Sequence, residues 1–133
     1  MLTNRSQESA DYGSQIHPDI EEFANSNKVV LVYHQDTNSD KFAKWLGDRS
    51  IDTLIYCGFA SNMCVIGLDL GMISMRLKGF RLFFVPEASA AVEFKESWET
   101  GAIHHSTTIL ISQWLAEIIA LSDFFLLSKA NSK

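Results

Sequence analysis

Thr53-Leu54-Ile55-Tyr56-Cys57-Gly58-Phe59-Ala60-Ser61-Asn62-Met63-Cys64-Val65 is the stretch on which the reading of this chain turns. Its first five residues are a β-branched and apolar run closed by Gly58, the pattern of a strand covered on both faces. From Ser61 to Lys78 the apolar residues Ile66, Leu70, Ile73 and Leu77 stand four, three and four apart, which predicts a helix stopped by Gly79. Working outward, Val29 to Tyr33 is a second strand-like run, and Asp36 to Asp40 supplies turn and capping chemistry. Phe42, Trp45 and Leu46 then mark one face of a helix that ends near Gly47. Further upstream His17 and Pro18 open a short helix carrying Ile20, Phe23 and Ala24, and residues 1–15 form a polar arm expected to be disordered. Downstream, Leu82 to Val85 reads as a strand ended by Pro86, Trp98 to about Leu121 as one long amphipathic helix, and Phe124 to Leu127 as a short strand. Strands alternating with helices imply right-handed βαβ crossovers and a parallel sheet covered by helices.

Composition narrows the function. With 133 residues, 47% of them hydrophobic, the chain can bury one core and is too short to divide comfortably into two. The net charge of −5 is scattered, with no Lys/Arg cluster, so neither nucleic acid nor an anionic membrane is an expected partner. No apolar run approaches the roughly 20 residues of a spanning helix, and the polar start lacks a signal peptide's apolar stretch, which points to the cytoplasm. Cys57 and Cys64 are the only cysteines; they form neither a CxxC pair nor a set of zinc spacings, and no cofactor is expected. Cys57, inside an apolar run, is expected to be a small buried hydrophobe.

Cys64 stands differently. In an open parallel sheet, ligands bind beyond the carboxyl ends of the strands, and 58–64 occupies such a place. Gly58 and Ala60 allow close backbone approach, while Ser61 or Asn62 can cap the helix that follows. A thiol in the first turn of a long helix feels the positive end of its dipole, and free N–H groups there suit an oxyanion. The same position equally suits a cysteine that merely packs.

Ile55 to Val65, with its Gly-x-Ala-Ser-x-x-Cys-Val core from Gly58 to Val65, resembles the signature of the isochorismatase-like cysteine hydrolases, and the likeness runs from about Ile16 to the C-terminus. The resemblance implies a Rossmann-like three-layer α/β/α fold with a mostly parallel sheet, over residues 16–133, and an Asp, Lys, Cys triad. Cys64 matches the nucleophile, Phe59-Ala60 the family's cis peptide, and the N–H groups of Ala60 and Cys64 its oxyanion hole. The family's first strand, ending in the catalytic aspartate, has no counterpart upstream of Ile16, and Asp11 is a poor substitute. The domain is therefore expected to be incomplete at its N-terminus, without that strand. His34 or Tyr33 stands where the family has its lysine, and Lys41 is expected to face solvent. The metal-binding segment of the nicotinamidases has no counterpart either, so no metal is expected.

His34 at a strand end is a candidate base for Cys64, or a satisfied loop histidine. Asn62, Met63 and Tyr33 are candidate substrate contacts; Asp36 and Asn38 are more simply turn residues. His104-His105 are adjacent on a helix and point about 100° apart, which favours a surface or interface role over a ligand pair. The resemblance implies a cysteine hydrolase acting on a small amide, carbamoyl or related C–N substrate. The alternative is a non-catalytic binding or oligomerisation protein, and a homo-oligomer built on the Trp114 helix is compatible with either.

Overall fold

The computed structural model describes Pro18, Glu22, Ser26, Val30, Val32 and residues 36–130, with side chains to Leu126. The chain divides into two units, residues 1–33 and 34–133. In the first, Pro18 and Glu22 are helical, and Val30 and Val32 are exposed. The polar arm at 1–15 and the rest of the helix at 17–24 and strand at 29–33 lie outside the described residues, as do Tyr33 and His34.

In the second unit the order is α1 (Ser39–Gly47), β1 (Thr53–Phe59), α2 (Cys64–Gly67), α3 (Met72–Leu77), β2 (Arg81–Ala90), α4 (Ala102–Trp114), β3 (Glu117–Ile118) and α5 (Leu121–Ala130). Among the described residues the sheet has three strands, ordered β1-β2-β3 and parallel throughout. This is the expected α/β architecture, because parallel neighbours need the crossovers that the helices provide.

One core joins the layers. Leu46 of α1, Met72 and Met75 of α3, Leu82 and Phe84 of β2, Ile111 of α4 and Ala116 are buried together, with Leu54 and Tyr56 of β1 packed against them. Each of the fully buried Leu, Met, Phe and Ile side chains contributes about 1.5–3 kcal/mol before entropy is charged against it.

Several boundaries differ from the pattern in the sequence. The helix predicted from Ser61 to Lys78 is two short ones, broken at residues 68–71. The break resets the helical phase, so Met72 and Met75 are buried while Ile73 and Leu77 face water. Its cause is tertiary: Asp69 in the break accepts hydrogen bonds from the Ser39 N–H at 2.8 Å and hydroxyl at 2.9 Å, at the start of α1. Those two bonds and the Lys78 charge hold its carboxyl below the usual range, against an opposing push from burial. At Gly71 a Cβ would lie 2.7 Å from the Ile66 carbonyl oxygen, so the chain there tolerates no side chain.

Pro86 does not end its strand. Between paired positions β1 advances from Tyr56 to Gly58 while β2 advances from Phe84 to Ser89, so the proline sits where the ladder is already interrupted and its missing N–H costs nothing. The long helix expected from Trp98 to Leu121 spans only Ala102–Trp114; β3 follows, pairing Glu117 and Ile118 with Phe83 and Phe84. Phe124 to Leu127, read as a strand, lies in helix α5. Cys57 is exposed, not buried, because Ile55, Cys57 and Phe59 share the open face of β1 while Leu54 and Tyr56 face the core.

Candidate active site

β1 delivers its chain to a tight turn at the carboxyl ends of the strands. Gly58 takes φ +107°, a region that side chains disfavour, and its N–H donates to the Ser89 hydroxyl at 3.1 Å. That hydroxyl donates in turn to the Val85 carbonyl at 2.8 Å, which ties β1 to the irregular part of β2. The Phe59–Ala60 peptide bond is cis. Ala60 is buried, and its carbonyl accepts from Met63 N–H at 3.0 Å and Val65 N–H at 3.2 Å, so one oxygen folds the turn toward α2.

Two residues anchor the turn to the chain beyond β2. The Ser61 N–H donates to the Ala90 carbonyl at 2.8 Å. The Asn62 side-chain amide reads Val92 in both directions, accepting from its N–H at 2.9 Å and donating to its carbonyl at 3.2 Å. Neither residue caps α2, whose N-cap is Met63 without a side-chain bond, because both polar groups are engaged across the sheet end instead.

Cys64 opens α2 with an exposed thiol. As the first helical residue its N–H has no acceptor within the helix. The dipole expected of a long helix is reduced here, since α2 has four residues and little summed peptide moment. Flanking it, Phe59 is 70% and Met63 57% exposed, so the thiol stands beside apolar surface open to an incoming molecule.

Ser61 is fully buried, and its Oγ lies 3.4 Å from Nδ1 of His104, in the first turn of α4. Glu93 caps the same turn, accepting from the His104 N–H at 2.7 Å and the Ile103 N–H at 3.1 Å, and also from the Ser97 hydroxyl. Burial pushes the Glu93 carboxyl up, but the Ser97 hydroxyl, the two amides and the His104 ring together hold it below the usual carboxylate range. His104 is thus half-buried and tied to the site, whereas its neighbour His105 is exposed. The contact between Ser61 and His104 spans 43 residues of sequence and leaves no local signal.

The other sequence candidates fall elsewhere. Asn38 caps α1, accepting from the Lys41 N–H at 2.9 Å, and Asp36 and Lys41 are exposed. Tyr33 and His34 lie outside the described residues. Among the described residues, no three His, Cys, Asp or Glu side chains gather where they could hold a metal ion, and no helix is long and apolar enough to cross a membrane.

Residues 4–113 match the family model for the isochorismatase domain. No curated protein matches. Among solved structures the chain is similar to a protein of Burkholderia xenovorans LB400 designated a candidate isochorismatase, with a TM-score of 0.51 and 20% identity. The match covers 67% of this chain and 43% of that one, and at this identity it speaks for the fold.

Proposed function

This chain belongs to the isochorismatase domain family, and from that premise we propose that it is a cysteine hydrolase of a small amide, carbamoyl or related C–N substrate, with Cys64 as nucleophile. The observation that carries the reading is the exposed Cys64 thiol at the first residue of α2, beyond the carboxyl end of β1. The Cys64 sulfur would attack the substrate carbonyl carbon, forming a C–S bond and an oxyanion facing the N–H groups of Ala60 and Cys64. Collapse of that adduct breaks the C–N bond, and the nitrogen leaves as ammonia or an amine carrying the proton given up by the thiol. Water then attacks the thioester, releasing the acid and restoring the thiol.

His34, set by the resemblance at the position of the family's lysine, is the proposed proton partner; Phe59 and Met63 would flank the substrate. Asn62, its amide engaged by Val92, would support the wall of the site and not hydrogen-bond the substrate directly. No metal or cofactor enters this scheme. We place the protein in the cytoplasm as a homo-oligomer, and light scattering on the purified chain reads its assembly.

The test is alkylation by iodoacetamide at neutral pH, followed by peptide mass spectrometry. Exposed Cys57 serves as the internal comparison and a small thiol peptide as the external one. An activated nucleophile should label about tenfold faster than either, the consequence of a larger thiolate fraction. Equal rates would sink the hydrolase reading. They would favour the second one, a non-catalytic binding or oligomerisation protein, for which the open apolar face of β1 at Ile55 and Phe59 speaks.

A further inference from the structure

The turn that presents Cys64 is held by few bonds of its own. α2 has only four residues, and its N-terminus lacks a side-chain cap. What fixes the turn comes from the other side of the sheet end: the Ala90 carbonyl on the Ser61 N–H, Val92 on the Asn62 amide, and the His104 ring on the Ser61 hydroxyl. The first two are held by backbone that any side chain at 90 or 92 would supply. The third depends on the identity of one residue. His104 is itself fixed, because Glu93 binds its N–H and that of Ile103, and Ser97 binds Glu93.

The geometry points to His104 as a positioning residue, which holds the buried Ser61 hydroxyl through Nδ1 and so keeps the turn from Ala60 to Cys64 in the shape that presents the thiol. This rests on the hydrolase reading for its purpose, though not for its geometry. His104 does not touch the reacting atoms; it acts through Ser61, three residues before Cys64. Ser61 is fully buried, so without its ring partner the hydroxyl has no water to turn to, and the turn must open or shift to satisfy it.

Two measurements on the purified chain test this. The first is amide hydrogen exchange at Met63 and Val65, whose N–H groups both close on the Ala60 carbonyl, against Phe84 in the core. The substitution His104→Leu should speed exchange at Met63 and Val65 by about tenfold while Phe84 changes little, since the opening is local. His104→Asn, which keeps a polar atom near the place of Nδ1, should bring both amides back to within about threefold of the parent. The second is the ratio of Cys64 to Cys57 alkylation, which should fall in His104→Leu and recover in His104→Asn.

Unchanged exchange at Met63 and Val65 in His104→Leu overturns the proposal. So does failure of His104→Asn to restore it while Phe84 remains protected. If His104→Leu does not fold, His104→Phe, which keeps a ring at that place without Nδ1 and leaves the Ser61 hydroxyl unpartnered, carries the same question, and exchange at Met63 and Val65 no faster than in the parent overturns it. A parent protein whose Cys64 labels no faster than Cys57 removes the hydrolase reading alone, and the exchange arm still decides the role of His104.

Discussion

Two irregular segments flank α2, and both are tied to distant chain by side-chain hydrogen bonds. The break at 68–71 spends its polar groups on structure: Asp69 takes up both donors of Ser39, and the Leu70 carbonyl accepts the Tyr56 hydroxyl at 2.8 Å. The turn at 58–64 divides the work. Ala60 and Ser61 are buried and anchored, while Phe59, Met63 and Cys64 are left open. A loop that only joins elements hides or satisfies its chemistry; a loop that presents a reactive atom hides the support and exposes the atom.

The largest expected effect that separates the two falls on Gly71. Gly71→Ala would press a methyl group into the backbone carbonyls of Ile66 and Leu68, at a cost of about 1–3 kcal/mol in urea unfolding. Its Cys64 to Cys57 labelling ratio, measured under native conditions, should remain near the parent's. A collapse of that ratio without loss of stability would erase the distinction between the segments.

Tyr56→Phe removes the bond to Leu70 and should cost about 0.5–1.5 kcal/mol in the same assay. Burial pushes the Tyr56 phenol up to about 12, above its ordinary value of 10. A group whose folded pKa is raised contributes stability that is full below the unfolded pKa and lost as pH rises through the folded one. The stability of the parent should therefore fall between pH 10 and 12 more steeply than that of Tyr56→Phe, as read by circular dichroism.

The smallest effects are the acid ones, since Asp69 is exposed and Glu93 only partly buried, and solvent screens both. Asp69 and Glu93 are each held below the usual carboxylate range. Native protein then binds fewer protons than unfolded protein, so their contribution is present above the unfolded carboxylate pKa of about 4 and disappears as pH falls through the folded value. Acid unfolding should be shallower in Asp69→Asn and in Glu93→Gln than in the parent. Only Glu93→Gln, which leaves the cap of the His104 turn weakened, should also loosen the Met63 and Val65 amides.

Much of the fold was legible because it is written in short-range pattern. The Thr53 and Leu82 runs are strands, Phe42 and Leu46 mark the inner face of α1, and Gly58 to Cys64 is a turn at the strand ends. The failures share a cause. Ile73 and Leu77 fit a single helical period that the bonds of Ser39 to Asp69 interrupt, and Pro86 has the pattern of a stop although the ladder bulges around it. Leu115 to Ile118 were apolar enough to extend α4, yet pairing with β2 draws Glu117 and Ile118 into a strand.

By itself, the amino-acid sequence determined the alternation of strands and helices and the place of Cys64 at a strand-to-helix turn, since both follow from periodicity and turn chemistry within a few residues. The tertiary structure decided which residues support that thiol. Gly58 meets Ser89 across 31 positions, Asn62 meets Val92 across 30, and Ser61 meets His104 across 43. Hydrogen bonds of that reach depend on how the strands and helices pack, and nothing in the local order of residues encodes them.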